Sequence, residues 1–302
     1  TFMKSFLQKL FRRPEFLFRP TQLFRRILWE IKSPKQNVPV KLPWGLTMNV
    51  SPGDRIGASI IKTGTYDTAV LECLYRLTDQ GETCLDIGAN YGLMTGLLAR
   101  ASGPNGKVIS FEAHPEIAKE LVDITEEWKS NHQIASIKIE NSAVSDQGRE
   151  AELIIPQNFL SNRGSAKLAE SNSEPSNGKS LKIRTISLDH YFEQTEELVG
   201  VCKIDIEGHE KSALLGAKNL LKDQRIRDII YEDHSGYPSE VGTFLESFGY
   251  EIFLIRKGLT KPLLMHPGTA PYELPNYLAT LSPQRAKERI SPLGYKVLRR
   301  NG

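Results

Sequence analysis

Thr83-Cys-Leu-Asp-Ile-Gly-Ala-Asn-Tyr-Gly-Leu-Met-Thr-Gly96 decides how the chain reads. The apolar run Cys84, Leu85 and Ile87 predicts a buried strand; the glycines after it predict a tight turn, and Leu93, Leu97 and Leu98 mark one face of a following helix. Val108-Ile-Ser-Phe-Glu112 predicts a second strand, over 107–111, that ends in an acid. Strand, glycine turn and helix form a unit that binds nucleotides. Gly88 and Gly92 let the backbone come close to a ligand, and the amides that open the helix face it. A carboxylate at Glu112 can accept from both hydroxyls of a ribose.

A dinucleotide fingerprint needs small residues at its third and sixth positions, which from Gly88 are Asn90 and Leu93. An NAD-dependent oxidoreductase is therefore disfavoured. Asp86 adds a carboxylate at the mouth of the strand, where it repels a pyrophosphate and suits a cationic amino-acid group. A ligand with an ammonium and a sulfonium fits better, which points to S-adenosylmethionine held along Asp86, Gly88, Ala89, Asn90 and Gly92.

Five ordered blocks carry a family resemblance: Asp86-Ile-Gly-Ala-Asn-Tyr-Gly92, Phe111-Glu-Ala-His-Pro115, Asn141-Ser-Ala-Val-Ser-Asp146, Arg184-Thr-Ile-Ser-Leu-Asp189 and Lys203-Ile-Asp-Ile-Glu-Gly-His-Glu210. Together they resemble the FkbM-type S-adenosylmethionine-dependent methyltransferases over about residues 40–256. The resemblance implies a class I methyltransferase fold, a Rossmann-like doubly wound α/β sheet, mostly parallel with an antiparallel edge. It implies O-methylation of a hydroxyl on a small molecule or sugar-like acceptor. It also places Tyr66 beside the methionine end of the cofactor, Glu112 and Ala113 at the ribose, and Ser142 and Ala143, through backbone amide and small side chain, near the adenine.

The chain has 302 residues, 39% of them hydrophobic and 25% charged, ordinary material for a globular body. Cys73, Cys84 and Cys202 are odd in number and far apart, which fits buried reduced thiols and a cytoplasmic protein. The net charge of +3 hides an asymmetry: residues 1–35 hold nine Lys or Arg against Glu15 and Glu30, which leaves 30 basic and 34 acidic residues of the 39 and 36 in the chain. The body is mildly acidic and carries no general nucleic-acid footprint. No apolar run approaches the ~20 residues of a membrane span.

Residues 1–37 read as a basic amphipathic helical extension, 38–281 as the methyltransferase domain and 282–302 as a tail. A helix is expected over 2–11, stopped by Pro14, and a second over 21–31 capped by Thr21. Two readings stay open for this extension: a hairpin packed on the body or on another copy of the chain, and a peripheral membrane anchor. Alternation around Pro43-Trp44-Gly45 predicts a hairpin, and helices are expected over 54–62 and 67–78. After the central motif, strands are expected over 134–139, 151–155, 181–186, 199–206, 227–231, 250–255 and 276–280, with helices at 115–129 and 238–248 and one carrying Leu214, Leu215 and Ala217 inward. Residues 166–180 read as a surface loop; Asn162-Arg-Gly-Ser165 before it resembles a short element of the same family, which leaves two readings for the loop, closure over the substrate and a tolerated insertion, while 256–275, with four prolines, read as a loop or extended hairpin.

Ligands of open parallel sheets sit outside the carboxyl ends of the strands. Asp205 and Glu207, on one face by the period of two, and Glu232, Asp233 and His234 therefore mark the expected catalytic edge, with Asp205 also facing the cofactor. Asp205, Glu207, Glu232 and His234 are the catalytic candidates; His209 reads as a packing or capping residue. The acids are also hard oxygen donors of the kind magnesium prefers, but carboxylates around a cationic cofactor have their own electrostatic reason, so no metal is expected. Two further alternatives are an N-methyltransferase, although the Asn/Asp-Pro-Pro-aromatic motif is absent, and a non-catalytic membrane-associated or scaffold protein on the same fold.

Overall fold

The computed structural model describes residues 14–20, 29, 34, 36–130, 133–168, 179–268 and 276–299. Pro14–Phe18 (α1) is helical, so Pro14 opens a helix where the sequence suggested an end. A proline's missing N–H costs nothing in a first turn. The helix expected over 2–11, and all but Trp29 of that expected over 21–31, lie outside the described residues.

Val38–Lys41 (β1) and Thr47–Val50 (β2) form the expected antiparallel hairpin, with Val40, Leu42, Leu46, Met48 and Val50 turned inward. Asp54 caps Arg55–Thr63 (α2), accepting from the Gly57 amide at 2.8 Å. Then come Thr68–Leu77 (α3), Thr83–Ile87 (β3), Leu93–Ser102 (α4), Lys107–Phe111 (β4), Pro115–Trp128 (α5) and Ser136–Glu140 (β5). Ala143–Val144 (β6), Glu150–Ile155 (β7), Lys167–Leu168 (β8) and Lys179–Ile186 (β9) make a separate four-stranded sheet in the order β6-β9-β7-β8. The chain continues through Leu188–Tyr191 (α6), Val199–Ile204 (β10), Glu210–Leu215 (α7), Lys218–Lys222 (α8), Ile226–Glu232 (β11), Glu240–Glu246 (α9), Glu251–Lys257 (β12), Pro262–Met265 (β13), Asn276–Thr280 (β14) and Pro283–Ile290 (α10).

The large sheet runs β13-β12-β14-β11-β10-β3-β4-β5. Its β11, β10, β3, β4 and β5 are parallel neighbours, and β14 lies antiparallel between β11 and β12. The antiparallel pair β12 and β14 is present, and β13 takes the edge beyond it, so that the start of the proline-rich stretch forms the hairpin that was one of its two readings. Helices cover both faces. One face carries Cys84, Val201 and Ile230 against α3 and α4; the other carries Leu85, Ile87, Cys202, Ile204 and Ile229 against the segments of α6 to α9. Leu215 is 42% exposed rather than inward, because the expected single helix breaks at Gly216 into α7 and α8.

The residues after 282, which the sequence left unplaced, pack on α3. Ala286, Ile290, Tyr295, Val297 and Leu298 are buried there. The Arg76 guanidinium, paired with buried Glu72 at 2.6 Å, donates to the carbonyls of Ile290, Pro292 and Gly294. No described helix is long and apolar enough to cross a membrane.

Candidate active site

Strand register builds the site. Ile87, Phe111, Ile204 and Tyr231 lie side by side across four neighbouring strands. The residues one step further, Gly88, Glu112, Asp205 and Glu232, therefore share the carboxyl edge of the sheet. Strand order reverses there between β3 and β10, the place where open α/β sheets hold ligands. A cavity of about 450 Å³ fills that crevice, within the range of cofactor sites.

One wall is the loop after β3. Gly88 has φ +84°, and a Cβ there would stand 1.9 Å from the Asp205 carbonyl oxygen. Gly92 has φ +80° and lies against Leu121 of α5, whose Cδ1 would be 2.4 Å from a Cβ. Both glycines are demanded by protein packing, and Gly92 is not among the residues that line the cavity. Between them Asn90 adopts a left-handed conformation, φ 48°, that turns its amide onto Glu112. Its Oδ1 is buried, with no hydrogen-bond partner among the described residues, and the residue lines the cavity.

Glu112 is 8% exposed, and each carboxylate oxygen accepts one backbone amide, from Asn90 at 2.8 Å and from His114 at 2.9 Å. Burial pushes its carboxyl above the usual range, against those two bonds. Ala113, Ser142 and Ala143 line the same end of the cavity. The Ser142 amide is already bonded to the Glu140 carbonyl at 3.0 Å, so it is not free for an adenine as the sequence suggested.

Asp86 is placed elsewhere than expected. Side chains alternate along a strand, and Asp86 shares the face of Cys84, beneath α4. It is 1% exposed and accepts from Thr95 Oγ1 at 2.6 Å, with Ser110 Oγ 2.9 Å from the same hydroxyl. It does not line the cavity. Burial lifts its carboxyl to about 6. Its place is under the first turn of the helix.

At the open end stand Asp205, Glu207, Glu232 and His234, with Tyr66 and Arg55 opposite. Asp205 and Glu232 stand side by side, each one step beyond the paired residues Ile204 and Tyr231. Burial and the adjoining Asp205 charge raise Glu232 to about 8. Burial also works against ionised Asp205, but the Lys203 ammonium, 3.2 Å away, outweighs it and leaves that group below its ordinary value. His234 Nε2 lies 3.3 Å from Glu232 Oε1 on an exposed side chain. Glu207 sits at φ 55°, a strained backbone that few residues adopt. Tyr66 bonds to Arg55. His209 lines the cavity with Nε2 2.9 Å from Ser145 Oγ. Asp233 is turned back onto its own loop, accepting from the Ser235 amide.

Sequence reasoning missed Lys203 and Asp67, and of the roof it had the Asn162-Arg-Gly-Ser165 turn but not the way Arg163 holds it. Lys203 is 2% exposed, with Nζ 3.2 Å from Asp205 Oδ2. Asp67, held by Asn276 Nδ2 at 3.0 Å, faces the same ammonium. A lysine inside Val-Gly-Val-Cys-Lys-Ile was the available signal. The roof comes from the small sheet: Leu153 and Leu168, with the turn at Arg163–Ser165. Arg163 pins that turn across the cavity. Its amide donates to Asp54 Oδ1 at 3.0 Å, its guanidinium meets Glu120 at 2.6 Å and lies 4.8 Å from the Tyr91 ring centre. His114 stacks on Phe159 beside it, ring centres 4.9 Å apart. The loop beyond, 169–178, lies outside the described residues.

The residues present fit S-adenosylmethionine: a buried acceptor without a partner at Asn90, a preset carboxylate at Glu112, and an acidic pair at the other end for a cation. Among the described residues no group of three or more His, Cys, Asp or Glu side chains has a metal-holding arrangement.

Comparison with known proteins gives a family. The model of the methyltransferase FkbM domain matches residues 86–252. No curated protein matches the sequence. Among solved structures, the chain is similar to a methyltransferase FkbM from Methylobacillus flagellatus, at 14% identity and a TM-score of 0.43, covering 74% of this chain and 60% of that one. It is also similar to Aeropyrum pernix fibrillarin in complex with natively bound S-adenosyl-L-methionine, at 13% identity and a TM-score of 0.39, covering 82% and 99%. A third is TrmK from M. capricolum in complex with S-adenosyl-homocysteine, at 12% identity and a TM-score of 0.38, covering 70% and 66%. These are remote likenesses, and the fold stands on the strand order itself. The family model spans more than half of the chain, which therefore belongs to the FkbM methyltransferase family and carries an S-adenosylmethionine-dependent methyltransferase domain.

Proposed function

We propose that the protein is an O-methyltransferase acting on a hydroxyl of a small molecule or sugar-like acceptor. The observation that carries this reading is the pair Asp205 and Glu232, set side by side by strand register, in the same cavity that Glu112 lines. An alcohol keeps its proton at neutral pH, so the site needs a group that takes it, an effect worth about 10²- to 10⁴-fold. When bound, the cofactor supplies the electrophilic methyl on its sulfonium. Glu232, with Asp205 and His234 beside it, receives the proton; Glu207 and Tyr66 orient the acceptor and the methionine end. Asn90 Oδ1 accepts from the ligand's ammonium, Glu112 offers its remaining lone pairs to the ribose, and Ser142 and Ala143 flank the adenine.

The test is calorimetry with S-adenosylhomocysteine against NAD, followed by turnover on a panel of hydroxyl- and amine-bearing acceptors. Binding of the former alone, with methyl transfer to hydroxyls, is the expected result. Transfer to amines alone would replace this reading with N-methylation, and binding of neither would leave a scaffold. Turnover is expected to survive EDTA unchanged, since the acids already have a cationic partner.

Glu112→Ala should weaken S-adenosylhomocysteine binding by about 1–3 kcal/mol, the worth of charged hydrogen bonds, measured by the same calorimetry. Arg163→Ala unpins the roof and should weaken it about tenfold, mainly through faster dissociation seen in stopped flow. Residues 1–37 remain, on this reading, a basic extension that packs on the body, where Glu15 already meets Thr68 and Lys257, or on another copy of the chain, or meets a membrane surface.

A further inference from the structure

We propose that the Asp205–Glu232 pair counts the charge of the cofactor: it loses its shared proton when a sulfonium binds beside it and recovers one from the acceptor during methyl transfer. This rests on the placement of the cofactor's methyl beside Asp205 argued above.

Two carboxyl groups held side by side away from bulk water resist carrying two charges, so one of them keeps a proton. Asp205 and Glu232 are placed so by the register of β10 and β11, each one step beyond the paired Ile204 and Tyr231. The surroundings fix how many charges that pair can hold. From β10, Lys203 Nζ reaches Asp205 Oδ2 at 3.2 Å, a single buried positive charge. From the loop before α3, half-buried Asp67 faces the same ammonium and Glu232. Glu207 and Tyr66 face Asp205, with Arg55 beyond them. His234 lies beside Glu232 on the solvent side. One ammonium among three carboxyl groups balances Asp205 and leaves an ionised Glu232 only the exposed His234 imidazole beside it, so Glu232 is held up at about 8 and keeps its proton at neutral pH.

A unit positive charge within about 6 Å favours ionisation of a carboxyl by about a hundredfold. Binding of a sulfonium therefore moves Glu232 from mostly protonated to mostly ionised, and its proton goes to solvent. Glu232 then takes the hydroxyl proton as the C–O bond forms and the C–S bond breaks. The products are a methyl ether, a neutral thioether and protonated Glu232, with charge and protons balanced. The released thioether leaves behind the same protonation state that the next sulfonium meets.

The two ligands differ by that one charge, which makes the idea measurable without turnover. Binding heats of S-adenosylmethionine and of S-adenosylhomocysteine to the full chain, without acceptor, are taken at neutral pH in buffers of different ionisation enthalpy. The sulfonium ligand is expected to release roughly 0.5–1 proton more than the thioether. That excess should vanish in Glu232→Gln and persist in His234→Gln. Equal proton counts in the wild type would overturn the inference while leaving the binding site intact, as would an excess that survives Glu232→Gln or follows His234 instead. Failure of both ligands to bind would remove the cofactor placement itself and the inference with it.

Discussion

Lys203→Met is expected to destabilise the fold by about 1–3 kcal/mol at neutral pH and to abolish measurable methyl transfer. The lysine is 2% exposed and is the buried cation facing Asp205, Asp67 and Glu232. Removing it leaves carboxylates that water reaches only in part, Asp205 being 39% exposed, so the loss is smaller than for a fully buried pair. Domains of this kind are stable by about 5–15 kcal/mol, so the loss is a large share of the whole. The pH dependence gives the sign. In the wild type Asp205 lies below its ordinary value despite burial, so its contribution is present above the unfolded-state value and is lost as pH falls through the folded one. Without Lys203, burial alone acts, and Asp205 joins Asp67 above the ordinary range. The folded variant then holds more protons than the unfolded chain, so its stability rises as pH falls. Urea unfolding at pH values from acid to mildly alkaline should show the deficit growing with pH. A deficit that is constant across that range would mean the ammonium merely fills space.

How far the sequence revealed this arrangement depends on whether a feature repeats along the chain. The strands β3, β4, β10 and β11 were legible because each is a short, mostly apolar run, and their alignment then followed from the fold. Of the small sheet, β7 and β9 were legible, but Ala143–Val144 and Lys167–Leu168 are too short to show any period. Its role as a roof over the cavity depends on Arg163 meeting Asp54 and Glu120, contacts between distant parts of the chain. Asp86 shows the limit of alternation: the period of two fixes that it shares a face with Cys84, but whether that face meets a ligand or a helix is decided by Thr95 one helical turn further on. Lys203 was passed over for the complementary reason. Its apolar neighbours announced burial, while its acidic partner Asp67 lies in another segment, before α3.

Asp205→Asn should lower kcat by about 10²- to 10³-fold while weakening S-adenosylhomocysteine binding by no more than a few fold. The substitution keeps the shape at the end of β10 but removes the charge that Lys203 balances at 3.2 Å. The amide can still bond to Glu232, so that carboxyl loses a charged neighbour and titrates nearer its ordinary range. A weaker base results, and one competing for the now unpaired ammonium: ionised Glu232 is drawn toward Lys203 and away from the acceptor hydroxyl. Loss of a positioned base costs about 10²- to 10⁴-fold, and the effect should fall on kcat because the sulfur of the thioether product carries no charge for Asp205 to meet. The profile of kcat against pH should shift as well, its acidic limb moving to lower pH with the fall in the Glu232 value. If instead the affinity for the thioether collapsed and kcat held, Asp205 would be a binding group alone, and the proton would have to leave the acceptor by way of His234, whose imidazole is the next group toward solvent.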